Sequence, residues 1–150
     1  MEAVRPAEAG DLDRCRDLLT EAIAATDGQR GAALWLSGQV GDELVSRWSS
    51  DPDSALVVGT YDDVIVGVAA GTVGTLGGRH IGRIECFYVE PDARAVGVGQ
   101  AIVEYLVQWF ARRDCLDVDA MALPGDRSSK QLLESSGFKA RLLILHRSLG

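Results

Sequence analysis

The 150-residue chain carries 47% hydrophobic and 25% charged residues, apolar enough for one packed domain over residues 1–150 and too apolar for a disordered chain. Its net charge of −7 argues against a nucleic-acid backbone as main partner, and no apolar run approaches the length that spans a bilayer. Three widely spaced cysteines and two histidines fit neither a disulfide framework nor a metal site, and the acidic N-terminus has no apolar signal segment, so a cytoplasmic protein is expected.

"EAVRPA" alternates and predicts a first strand. In "AGDLDRCRDLLTEAIAA", Leu12, Cys15, Leu18, Leu19, Ala22 and Ile23 recur at helical spacing behind an Asp cap candidate. A second helix is expected within "LWLSGQVGDELVSRWSS", interrupted by Gly38 and Gly41; its Trp35 and Trp48 suit core packing or a substrate-side lid. "SALVVGT" and "VIVGVAAGTVGT" read as strands around a tight turn at Asp62 and Asp63, and "GRIECFYVE" as a third strand ended by Pro91. "VGQAIVEYLVQWFARR" predicts a helix whose apolar stripe runs through Val98, Ile102, Tyr105, Leu106, Trp109 and Phe110. "LDVDAMAL" is a strand, "RSSKQLLESS" a short helix stopped by Gly137, and "FKARLLILHRSL" a closing strand apolar enough to pair with another chain, which makes a homodimer an expectation. The order β-α-α-β-β-β-α-β-α-β predicts an α/β protein: one mixed sheet with helices on both faces.

"PDARAVGVGQAI" places Arg94, Gly97 and Gly99 between a strand and a helix, although glycine suits neither element. Glycines at such a junction let the backbone approach a bulky anion, and the first helical turn offers unpaired N–H groups at the positive dipole end. The stretch therefore reads as a pyrophosphate cradle. A Walker loop is excluded because no Gly-Lys-Ser/Thr follows, and a dinucleotide fingerprint fits poorly with Ile102 where a small residue is needed. The charge distribution agrees with an anionic ligand: residues 126–150 carry +3, leaving −10 on the first 125, so a basic C-terminal patch accompanies an acidic body that attracts cations. A solvated surface explains the same distribution.

The strand, cradle and helix, "FYVEPDARAVGVGQAI", resemble the GCN5-related N-acetyltransferase (GNAT) family, whose signature is Gln/Arg-x-x-Gly-x-Gly/Ala after a strand of the form apolar-Tyr-Val-x-Pro. The family's second motif, Asn-x-x-Ala-x-x-x-Tyr-x-x-x-Gly-Phe, is matched more loosely by "DRSSKQLLESSGF", where Asp126, Ser129 and Leu133 replace Asn, Ala and Tyr. The resemblance implies a GNAT-like fold and acetyl-coenzyme A as co-substrate. Backbone groups around Phe87, Tyr88 and Val89 would meet the pantetheine arm and thioester carbonyl. The N–H groups of Arg94, Ala95, Val96, Gly97, Val98, Gly99 and Gln100 would hold the pyrophosphate. Asp126 opens the next helix on the cofactor side, where Arg127 or Lys130 would meet the 3′-phosphate or adenosine edge; an ordinary surface charge is the alternative for each of the two.

The implied reaction is direct acetyl transfer in a ternary complex to a primary amine, small and cationic. Glu85, between Ile84 and Cys86, is the implied base, with a raised pKa expected for an acid in an apolar strand; a salt bridge to Arg79 or Arg83 is the bland alternative. His80 is a second base candidate. With Leu133 where the family commonly has a proton-donating tyrosine, the departing thiolate would leave unaided or be served by Tyr88, Ser128 or Ser129. Cys86 as an acetylated nucleophile would suit a ping-pong scheme. Two other readings remain open: a catalytically degenerate sensor of acetyl-coenzyme A or CoA, and a site for a different phosphate-bearing ligand. Neither metal, nucleic acid nor membrane is expected as a partner.

Overall fold

The computed structural model describes residues 1–26, 28–29 and 42–150. In chain order these form β1 (Glu2–Pro6), a 3-10 turn (Ala9–Asp11) leading into α1 (Leu12–Thr26), then α2 (Asp42–Ser50), β2 (Ser54–Tyr61), β3 (Val64–Leu76) and β4 (Arg79–Val89). A second 3-10 turn (Pro91–Val96) leads into α3 (Val98–Ala111), followed by β5 (Asp117–Ala120) and α4 (Arg127–Ser135). Of the helix expected over 34–50, the later part is α2; Trp35, Gly38 and Gly41 lie outside the described residues.

The five strands lie in sequence order in one sheet, antiparallel from β1 to β4 and parallel between β4 and β5. The β2–β3 turn is made by Asp62 and Asp63, both at positive φ (48° and 68°). That geometry matches the right-handed twist of the flanking strands, and Asp is among the residues that tolerate it.

Each face of the sheet has its own core. On one, Cys15, Leu18, Val45 and Trp48 of α1 and α2 pack on Leu56, Val58, Val68, Ala70, Cys86 and Tyr88. On the other, Val98, Ile102, Leu106 and Phe110 of α3 pack on Val57, Ala69, Ile84 and Val89. Trp48 is therefore core. α3 lies close because the strands beneath it are bare: a Cβ on Gly82 would stand 2.5 Å from the Phe110 ring, and one on Gly71 2.6 Å from it.

β4 changes faces halfway. Gly71 pairs with Ile84 but Ala70 with Cys86, so Glu85 is the extra residue of a β-bulge. Before it, Ile84 faces α3; after it, Cys86 and Tyr88 face α1 and α2, while Val89 faces α3.

The closing strand expected over 138–149 is not formed. Phe138 is anchored by its N–H to the Leu133 carbonyl (3.0 Å), but no backbone hydrogen bond among the described residues involves 139–150. A strand needs a neighbour to take its N–H and C=O groups, and within this chain none does so. β5 is shorter than expected for the same kind of reason, since pairing with β4 stops at Ala120.

Candidate active site

β4 and β5 run together only from Ile81↔Asp117 to Ile84↔Ala120. Beyond that point the bulge bends β4 away, and the two strands diverge around an open cleft. Ile84, Glu85, Cys86 and Phe87 form its β4 wall, Met121 and Leu123 the opposite one, and Asp126, Ser129 and Leu133 of α4 its floor; Thr26 closes the α1 end. Glu85 is half-buried and, among the described residues, has no ion-pair partner. Arg79, its suggested counter-ion, reaches Asp117 at 3.2 Å instead.

Alongside the cleft stands the amino end of α3. Gly97 occupies the cap position at φ 84°, a conformation L side chains rarely adopt, and no side chain caps the turn. The first intrahelical bond runs from the Ala101 N–H to the Gly97 carbonyl at 3.1 Å, so the donors of Val98, Gly99 and Gln100 precede the helical ladder. Such open donors at a positive dipole end suit an anion, and a pyrophosphate fits the residues present. Gly99 has a different reason to lack a side chain. A Cβ there would stand 2.9 Å from Leu132 and 3.4 Å from Phe87, so this glycine lets α4 and β4 close on α3. Arg94 folds back: its Nε donates to the Val89 carbonyl at 3.0 Å and its guanidinium lies 5.8 Å from the Tyr88 ring. That side chain holds the cradle turn against the end of β4. Ala95 and Val96 complete the same 3-10 turn.

Asp126 caps α4, accepting from the Ser129 N–H at 3.2 Å and from the Ser128 hydroxyl at 3.3 Å. Arg127 and Lys130 are exposed one turn further on. Leu133 brings only methyl groups to the cleft, and Ser129 is the α4 hydroxyl that lines it.

The remaining sequence candidates lie elsewhere. Tyr88 is buried on the α1 face and is not among the cleft's lining residues; burial raises its phenol pKa, with the Glu21 carboxylate adding to the effect. Of the three residues expected along the arm, Phe87 lines the cleft, and Tyr88 and Val89 follow it to the end of β4. Cys86 touches the cleft, but its thiol belongs to the buried core and burial pushes its pKa far up, which removes it as a ready thiolate. His80 is exposed at the start of β4, with Nδ1 3.3 Å from the Arg113 carbonyl oxygen. Sequence reasoning missed Thr26 and the Met121–Leu123 wall. Neither announces itself, because Thr26 reaches the cleft only through the packing of α1 and the wall contributes shape without reactive groups. No group of three or more His, Cys, Asp or Glu residues among the described residues could hold a metal ion. No helix among them is long and apolar enough to cross a membrane.

The model of the acetyltransferase (GNAT) family matches residues 17–138. Among curated proteins none matches the sequence. Several solved structures share the fold. The tetramutant of the BH1408 protein from Bacillus halodurans is 15% identical with a TM-score of 0.83, over 98% of this chain and 99% of that one. A ribosomal-protein-alanine N-acetyltransferase from Brucella melitensis is 16% identical with a TM-score of 0.75, over 100% of both chains. AAC(6')-Iy, solved with the bisubstrate analogue CoA-S-monomethyl-acetylneamine, is 18% identical with a TM-score of 0.71, over 99% and 98%.

Proposed function

The chain belongs to the acetyltransferase (GNAT) family, and from that premise we propose that it moves an acetyl group from acetyl-coenzyme A directly to a primary amine, as one cytoplasmic domain spanning residues 1–150. The observation that carries this reading is the half-buried Glu85 on its bulge, inside a cleft that opens beside the uncapped amino end of α3.

When bound, acetyl-coenzyme A supplies an acyl group activated as a thioester. The chain's own residues do the rest. N–H groups from Arg94 to Gln100 take the pyrophosphate, and Arg127 and Lys130 take the outer phosphate. Asp126, bonded to its own helix, shapes that end of the site. Backbone groups of Phe87, Tyr88 and Val89 orient the arm and polarise the carbonyl. Glu85 draws the cationic acceptor in and removes its proton, since a protonated amine has no lone pair to attack with. The acidic first 125 residues favour a small cationic acceptor. Ser129 is the hydroxyl best supported as proton donor to the departing thiolate, ahead of Tyr88, which is buried away from the lining.

A second reading has one observation in its favour: Leu133 puts no proton donor into the cleft, as in a sensor that binds acetyl-coenzyme A without turnover. Two measurements separate the readings. Binding at about a hundredfold excess over Kd adds roughly 2.7 kcal/mol, and both readings expect the resulting rise in Tm with acetyl-coenzyme A and none with NADH or ATP. CoA release across a panel of diamines, polyamines, aminoglycosides and peptide N-termini is expected only of the enzyme. A melt unmoved by acetyl-coenzyme A overturns both.

A further inference from the structure

The turn that carries the cradle starts at Glu90, the residue after β4, and α1 holds that residue from the far face of the sheet. Glu90 is the cap of the 3-10 turn over Pro91–Val96. Each of its polar groups is engaged. Its N–H donates to the Val66 carbonyl (2.9 Å), its carbonyl accepts from the Ala93 N–H (2.9 Å), and its carboxylate pairs with the Arg14 guanidinium of α1. Arg14 is tied down in turn, because Nη2 and Nε also donate to the Ile65 carbonyl at 3.3 and 3.4 Å. Ile65 borders a bulge in β3, between the pairs Gly59↔Gly67 and Thr60↔Ile65. One arginine thus joins α1, β3 and the entry of the cradle, in an ion pair whose side chains are only 34% and 29% exposed.

The place of this pair gives it a task beyond stability. Little slack separates Glu90 from Gly97: Pro91 fixes its own φ, and the Arg94 Nε bonds back to the Val89 carbonyl (3.0 Å). A shift of Glu90 is therefore carried along the turn to the donors of Val98, Gly99 and Gln100. Charge acts in the same sense. Glu90 and Asp92 are both acids beside a seat for an anion, and of the two only Glu90 has a cationic partner among the described residues. Left open, its carboxylate would repel a pyrophosphate; Arg14 cancels that charge. The pair between Arg5 and Asp11 (2.6 Å) makes a contrast, since all its hydrogen bonds fall within residues 5–11.

We propose that Arg14 is a positioning residue for the cofactor: through Glu90 it fixes the turn that carries the pyrophosphate donors and cancels the charge beside them. The proposal rests on the reading of that helix end as the seat of acetyl-coenzyme A.

Isothermal titration of the full chain with acetyl-coenzyme A tests it and needs no acceptor amine. Arg14→Met is expected to raise Kd about tenfold, the size of one charge-assisted hydrogen bond. Arg14→Lys keeps the cation but not the planar fork, so its Kd should fall between the two, and this milder variant carries the test if Arg14→Met does not fold. Arg5→Met is the structural control: its melt should show a loss of Tm, with Kd unmoved. In turnover with any accepted amine, Arg14→Met should raise KM for acetyl-coenzyme A by the same factor as Kd and leave kcat at saturation unchanged. A wild type that binds no acetyl-coenzyme A overturns the cofactor reading and this proposal together. Where the wild type binds, three results overturn the proposal alone: an unmoved Kd in both Arg14 variants, an equal loss in Arg5→Met, or Arg14→Lys no better than Arg14→Met.

Discussion

Glu85, Gly97 and Gly99 lie within fifteen residues of one another, yet each stands where it does for a different physical reason. If Glu85 is the base, Glu85→Gln keeps the shape and removes the proton acceptor. Turnover should fall by about 10²- to 10⁴-fold, with the Kd for acetyl-coenzyme A nearly unchanged, as kinetics and isothermal titration would show. Gly97→Ala places a Cβ at φ 84°, a strain of roughly 1–2 kcal/mol, with open space around it apart from the Glu2 carboxylate 3.9 Å away. Gly99→Ala instead meets Leu132, and overpacking of that kind costs about 1–3 kcal/mol. Melts should show both losses, but only the Gly99 defect should be relieved by adding Leu132→Ala. The thiols separate in the same way. Burial pushes Cys15 up to about 11 and Cys86 higher still, whereas Cys115 is partly exposed, so limiting iodoacetamide should label Cys115 first. Peptide mapping that finds Cys86 labelled early would contradict the buried placement.

The elements follow local pattern closely where local pattern decides. α3 shows its stripe in the spacing of Val98, Ile102, Leu106 and Phe110, and all four are fully buried. The Asp62–Asp63 turn, β2, β3 and the strand-to-helix junction at Gly97 are legible for the same reason, because turn chemistry and alternation act over a few residues. The cleft was only half legible. Glu85 could be singled out as an acid in an apolar strand, but the bulge that gives it to the cleft depends on pairing with Ala70 and Gly71. Gly99 looked like a phosphate glycine, and its tightest neighbour is Leu132, more than thirty residues along the chain. The last strand failed on the same principle, since an apolar run specifies a strand only where something pairs with it. A test of element-level packing comes from Gly82, which carries no side chain so that Phe110 can lie flat on β4. Gly82→Ala should lower stability by about 1–3 kcal/mol, and Phe110→Leu in the same chain should recover part of it.

For the whole molecule, the ion pair between β5 and the C-terminal segment gives stability a pH signature. The Arg141 guanidinium holds the Asp119 carboxyl below the usual carboxylate range. A carboxyl depressed in the folded state stabilises above its unfolded pKa, roughly 3.9, and that contribution fades as pH falls through the folded value. Asp119→Asn should therefore lower Tm at neutral pH, and its gap from wild type should close in acid; a gap constant down to pH about 3 would deny the pairing. The bulge in β4 has a wider reach than the acid it presents. It bends the strand where β4 and β5 part, and it does so with a residue that has no partner on β3. Deleting it would leave Ile84↔Gly71 and Cys86↔Ala70 as adjacent pairs, with Ile84 still toward α3 and Cys86 and Tyr88 still toward α1 and α2, so both cores would keep their residues while the bend and the carboxylate are lost. A chain shortened by this one residue should therefore fold on the same two cores yet lose the acid and the opening beside it, so that the site can be taken away while its scaffold stands.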